Sequence, residues 1–191
     1  MMEKQRFEMR FAGSGGQGVI LASVIFAEAA VISGLHTVQS QAYGPEARGG
    51  VSKAETILSN GEIWYSKVIL PDFLLALTQA SLDTYTKSLA EGATVMMDDS
   101  LVRPVGLDET QVISIPILRT ARETVGKSFT ANIVSVGAIN AALGLFDDEC
   151  LLEAVRRHIP VGTEEINKKA IGAGAALITP EIAASFARKL R

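Results

Sequence analysis

The stretch Gly13-Ser14-Gly15-Gly16-Gln17-Gly18 constrains this chain more than any other, because four glycines in six positions separate a strand-like segment, 7–12, from a helix-like one, Val19–Ile32. Glycine at a strand-to-helix turn admits positive φ and lets a ligand approach the bare backbone. The free first-turn amides and the helix dipole then favour an anion. The stretch reads as a loop for a phosphate, diphosphate or carboxylate, and a β-branched side chain at Gly15 is expected to block that approach and strain the turn.

Formally, Gly13-x-Gly15-x-x-Gly18 satisfies the dinucleotide-binding fingerprint. That fingerprint also needs an Asp or Glu about 20 residues further on to hold a ribose hydroxyl. The region reads Leu35-His36-Thr37-Val38-Gln39-Ser40-Gln41, with no acid, and Glu46 comes only after a turn. No Gly-Lys-Ser/Thr follows the glycines, which excludes a P-loop. A second reading stays open, in which the glycines serve only to let helix and strand pack closely.

With 191 residues the chain can bury a substantial core, and one α/β domain over 1–191 is the simplest division. Hydrophobic residues make up 48% of it, yet no run reaches the ~18 apolar residues that span a bilayer. The excess is expected in interfaces, as an apolar patch through which the isolated chain pairs with a second copy. A net charge of -3 with scattered Lys and Arg offers no basic stripe for nucleic acid. Cys150 is the only cysteine, so this chain can form no internal disulfide and can supply no thiolate set for an iron–sulfur cluster or structural zinc. Residues 1–10 carry charges of both signs and no apolar core, so the cytoplasm is the expected location.

Beyond the first helix, Gly34 is a C-cap and 37–41 a short strand. Asn60-Gly61 signals a two-residue hairpin between 51–59 and 62–69, with Ile57 facing Trp64. Strands are expected near 73–77, 94–97 and 112–117, with helices over 79–90 and 120–125, an alternation that implies a largely parallel sheet. The stretch 131–145 is apolar or small on almost every face and reads as a buried helix. Asp147-Asp148-Glu149, Thr163-Glu164-Glu165 and Pro180-Glu181 open three more, the last running to the C-terminus.

The second candidate site is Tyr43-Gly44-Pro45-Glu46-Ala47-Arg48-Gly49-Gly50. Arg48 can donate bidentately to a phosphate or carboxylate, Glu46 can orient that guanidinium, and the glycines keep the backbone close. In a parallel sheet the loops after successive strands share the carboxyl edge, which places this loop beside 13–18. His36 and His158 read as structural or solvated, since no nucleophile or paired base surrounds either. Asp98-Asp99-Ser100 reads as a turn or helix cap rather than a metal site, and Asn132 either caps a helix start or reaches a ligand.

With both loops in hand, the chain resembles the gamma subunits of 2-oxoacid:ferredoxin oxidoreductases over nearly its whole length. The resemblance is carried by 13–18, by Ser40-Gln41-Ala42 running into 43–50, by Leu70-Pro71-Asp72, and by Asn132-Ile133-Val134-Ser135-Val136-Gly137. Its Tyr-Gly-Pro-Glu-Ala-Arg-Gly-Gly form is similar to the 2-oxoglutarate type, whereas the pyruvate type tends to carry a second Arg there. The resemblance implies a three-layer α/β domain with a mostly parallel, mixed sheet that includes a β-hairpin, and a helical C-terminal region. It also implies a multisubunit enzyme that oxidatively decarboxylates a 2-oxoacid to an acyl-CoA and passes electrons to ferredoxin or another acceptor. Thiamine diphosphate, magnesium and iron–sulfur clusters then belong to alpha, beta and delta partners. The gamma subunit serves coenzyme A handling and assembly, and is inactive alone. The residues expected to contact cofactor are Gly13, Ser14, Gly15, Gly16, Gln17, Gly18, Tyr43, Glu46, Arg48, Gly49 and Asn132. Subunits of pyruvate, 2-oxoisovalerate or indolepyruvate oxidoreductases are the nearest alternatives. A free-standing nucleotide-binding oxidoreductase would need a ribose acid and a proton-transfer pair, and the sequence offers neither.

Overall fold

Along β1 (Arg6–Ser14) the side chains alternate across the sheet: Phe7, Met9 and Phe11 enter one core, while Arg10 and Ala12 face the other side. The computed structural model, which describes residues 6–42, 51–104, 106–108 and 111–187, places this strand near the middle of a six-stranded sheet. The order is β2-β3-β1-β4-β5-β6, with β2 His36–Gln41, β3 Val51–Ser59, β4 Phe73–Ala76, β5 Thr94–Asp98 and β6 Val112–Ile115. Only β3 runs against the others, antiparallel to both β1 and β2. The sheet is therefore mixed and mostly parallel, as the alternation of elements implies.

Layers form on both faces. On one lie α1 (Val19–Ile32), α4 (Ala131–Leu143), α5 (Asp148–His158) and α6 (Glu164–Ala175). Their core is joined by Phe11, Phe26, Phe73 and Phe146, whose successive ring contacts are tilted, with centroids 5.7–6.4 Å apart. On the other lies α2 (Gln79–Tyr85), where Leu82 covers Ala12, Leu74, Ala76, Val95 and Met97. Helix α1 stops at Gly34, whose φ of +77° suits only glycine at low cost. Asp147 caps α5 by accepting the Cys150 amide at 2.7 Å. Helix α5 is tied to α1 through Glu28, which accepts from Arg157 at 2.7 Å and meets the His158 ring at 3.2 Å. These bonds, that from Arg157 first, hold the Glu28 carboxyl below its ordinary pKa.

Helix α4 is buried on nearly every face, and its contact with α6 is made backbone to backbone. A Cβ at Gly174 would lie 2.0 Å from the Val134 carbonyl oxygen, and one at Gly137 2.1 Å from that of Ile171. Glycine is the only residue that fits at either crossing.

The Asn60-Gly61 hairpin does not form. Both edges of β3 are already taken, Ile57 lying opposite Glu8 on β1 and opposite Val38 on β2, so no edge is left for 62–69 to pair with. That segment instead runs as an irregular arm fastened by side chains of β1. Arg6 donates to the carbonyls of Tyr65 at 2.6 Å and Lys67 at 3.0 Å, and Glu8 accepts from the Ile69 amide at 3.3 Å. Beneath it Arg10, buried and paired with Glu55 at 2.7 Å, reaches the Val68 carbonyl. Trp64, expected against Ile57, is 90% exposed, and Tyr65, Ile69 and Leu70 are exposed beside it in sequence.

Three helices differ in extent from the sequence reading. Helix α2 ends at Tyr85 and gives way to a 3₁₀ turn, Thr86–Ser88. The helix expected from 120 starts earlier, as α3 (Ile117–Thr120), because Asp98 accepts the Leu118 amide at 2.7 Å. The last helix, α7, spans Pro180–Phe186, and 188–191 lie outside the described residues.

Candidate functional site

Strand β1 is followed by α1 on one face of the sheet, while its parallel neighbour β4 is followed by α2 on the other. Such a reversal opens a crevice outside the carboxyl ends of the two strands, where ligands bind in open α/β sheets. The 13–18 loop occupies this position, with Leu77 at its side donating its amide to the Ala12 carbonyl at 2.9 Å.

Gln17 braces the loop. Its Oε1 accepts the Ser14 amide at 2.7 Å, its Nε2 reaches the Leu77 carbonyl at 3.4 Å, and its own amide closes a turn onto the Ser14 carbonyl at 3.2 Å. This fit requires Gly13, where a Cβ would lie 2.5 Å from Gln17 Oε1. Gly16 and Gly18 take positive φ, +86° and +73°. Gly18 is the N-cap of α1 and supplies no side-chain cap to its amides. Ser14, Gly15 and Gly16 are exposed at the tip. Gly15 departs from expectation: its φ is not positive and a Cβ there would meet nothing within 4 Å. The close approach reasoned for it belongs to Gly13 and Gly18.

Asn132 is the second residue of α4 and only 8% exposed. Its side chain lies against Gly18, where a Cβ would come within 2.8 Å of Asn132 Cβ and Cγ. It does not cap α4, whose N-cap is Thr130 with no side-chain bond; its Oδ1 accepts instead from the Ile133 amide at 3.0 Å. The structure thus brings Asn132 together with 13–18, a contact that sequence separation hides. Both readings of the glycines hold in part, since Gly13 and Gly18 serve packing while Gly15 and Gly16 leave backbone open.

Tyr43, Glu46, Arg48 and Gly49 lie outside the described residues. The residues flanking that loop are described: Ala42 donates its amide to Lys53 at 3.1 Å, and Val51 lies opposite Ser14. Both therefore sit at the sheet edge that carries the glycine loop.

The remaining candidates are structural. Asp98 is fully buried, accepting from the amides of Ser100 and Leu118 at 3.0 and 2.7 Å, which is the turn and cap expected of it. His158 serves the α1–α5 tie, and His36 is exposed at the start of edge strand β2. Burial pushes the Cys150 thiol up, and its sulfur lies against the Ala29 carbonyl. Among the described residues no group of three or more His, Cys, Asp or Glu could hold a metal ion, and no helix is long and apolar enough to cross a membrane. No carboxylate, imidazole or thiol hydrogen-bonds to 13–18 among the described residues. The described part of the site is a set of neutral donors suited to holding an anion rather than to moving a proton.

Comparison with known proteins agrees with this architecture. The family model described as pyruvate ferredoxin/flavodoxin oxidoreductase matches residues 8–177. The 2-oxoglutarate synthase subunit KorC of Methanothermobacter thermautotrophicus is 42% identical over 184 residues, covering 93% of this chain and 97% of its own. Its counterpart in Methanothermobacter marburgensis is 44% identical over 180 residues, covering 91% and 97%. Among solved structures, the gamma subunit of a keto/oxoacid ferredoxin oxidoreductase from Geobacter sulfurreducens PCA superposes with a TM-score of 0.79 at 43% identity, covering 89% of this chain and 96% of that one.

Proposed function

The chain belongs to the pyruvate ferredoxin/flavodoxin oxidoreductase family, and we propose that it is the gamma subunit of a multisubunit, cytoplasmic 2-oxoglutarate:ferredoxin oxidoreductase, forming one domain over 1–191. The observation that carries this reading is the identity of 42% and 44%, over more than nine-tenths of the chain, with subunits named for 2-oxoglutarate synthase. In the reaction CO2 leaves the 2-oxoacid, the acyl carbon forms a thioester with the coenzyme A thiol, and two electrons pass to ferredoxin or another acceptor. Thiamine diphosphate, magnesium and the iron–sulfur clusters belong to alpha, beta and delta partners, in keeping with a single, buried cysteine here.

This chain contributes coenzyme A handling at the carboxyl edge and contacts that hold the complex together. The first role is supported by the open amides of the glycine loop and by the flanks of 43–50 meeting the sheet beside it. The second is supported by the arm at the opposite end of β1, which presents Trp64, Tyr65, Ile69 and Leu70 outward on a clamped backbone.

Two experiments test the reading. Native pull-down of the full chain, followed by assay of the recovered complex on pyruvate, 2-oxoisovalerate, indolepyruvate and 2-oxoglutarate, should show fastest turnover with 2-oxoglutarate; a preference for another acid overturns the substrate assignment. Arg48→Ala in the assembled complex should remove a charge-assisted contact of about 1.5–3 kcal/mol, raising the coenzyme A requirement roughly tenfold to a hundredfold. Normal assembly with unchanged coenzyme A dependence would make 43–50 a packing loop.

A further inference from the structure

We propose that the N-termini of α1 and α4 form, with Asn132 between them, a socket for a phosphate group. Asn132 is 8% exposed. Because its Oδ1 is held by the Ile133 amide at 3.0 Å, the orientation of the amide group is fixed and Nδ2 must point the other way. It points at Gly18: the nitrogen lies 2.5 Å from where a Gly18 Cβ would stand. Among the described residues Nδ2 has no hydrogen-bond acceptor, and neither do the amides of Gly15, Gly16 and Gly18. A buried amide donor without a partner carries a desolvation cost, which an anion at this point would offset.

The helix ends supply the field. Asn132 brings the start of α4, a helix of 13 residues, against the N-cap of α1, a helix of 14, and neither has an acidic residue in its first turn. Two positive dipole ends in contact repel, and a negative group shared between them turns that repulsion into attraction. The donors are many, neutral and arranged around an exposed glycine tip, a pattern that suits the several acceptor oxygens of a phosphate better than a single carboxylate. The socket deepens the proposed role in coenzyme A handling and rests on that reading of 13–18, but not on which 2-oxoacid is used.

The test is a titration of the full chain with inorganic pyrophosphate, followed by NMR. Saturable shifts of the Gly15, Gly16 and Gly18 amides and of the Asn132 side-chain amide are expected. Asn132→Asp keeps the acceptor for Ile133 and places a carboxylate between the two helix ends. It should hold the thermal midpoint at or above the parent value while weakening pyrophosphate at least tenfold. Asn132→Ala should weaken it less, since no charge opposes the phosphate. Displacement of pyrophosphate by coenzyme A at lower concentrations than by ADP assigns the phosphate to coenzyme A, and equal displacement assigns a general nucleotide diphosphate; either supports the socket. Absence of saturable binding, equal binding by Asn132→Asp, or saturation by 2-oxoglutarate in place of pyrophosphate overturns it. Those failures leave the subunit assignment standing, because reconstitution of the complex reads that separately.

Discussion

Gly174→Ala is expected to destabilise the protein by about 3 kcal/mol, although replacing a helical glycine by alanine ordinarily stabilises by roughly 0.5–1 kcal/mol. The reversal comes from the α4–α6 crossing, where the new methyl would lie 2.0 Å from the Val134 carbonyl oxygen and 3.0 Å from the Ala138 amide nitrogen. Both are backbone atoms of a buried helix, so neither can rotate aside, and α6 must back away from the core. Gly172, in the same helix, meets nothing within 4 Å. Gly172→Ala should therefore show the ordinary gain. Urea unfolding of the two variants and the parent measures the contrast; equal midpoints for the two would mean that the helices are not in backbone contact.

The second large effect is expected at Gly18, where alanine must adopt a φ of +73° and place its methyl 2.5–2.8 Å from three atoms of Asn132. Left-handed strain of about 1–2 kcal/mol adds to an overpacking cost of about 1–3 kcal/mol. Gly15→Ala, by contrast, should stay within about 0.5 kcal/mol of the parent, because its site is open and its backbone ordinary. Thermal unfolding of both variants, with complex assembly followed in parallel, is the measurement. A Gly15→Ala loss matching that of Gly18→Ala would restore the middle glycine to the role its motif position suggests.

How much of this was legible in the sequence depends on whether the deciding contact is local. The bounds of α1 follow from the glycines before it and Gly34 after it, and Asp147 announces the start of α5, because caps act within a few residues. Asn60-Gly61 misled for the opposite reason. Its turn chemistry is sound, but β1 and β2 had already taken both edges of β3, a competition that is settled by strands far away in sequence. The burial of 131–145 could be read from its composition, whereas the need for glycine at Gly137 and Gly174 could not, because the carbonyls they approach belong to another helix. The candidate site divides in the same way. The loop and its edge of the sheet were visible in the motif, while the brace by Gln17 and the approach of Asn132 to Gly18 arise from packing.

The most direct measurement of the central claim is coenzyme A-dependent reduction of a viologen dye by 2-oxoglutarate, with this chain alone, with the partner subunits alone, and with all of them together. Turnover is expected only from the complete set, because this chain offers an anion-holding edge and no acid–base or cluster-ligating group of its own among the described residues. Turnover by the purified chain alone, or full turnover by the partners without it, would contradict the assignment.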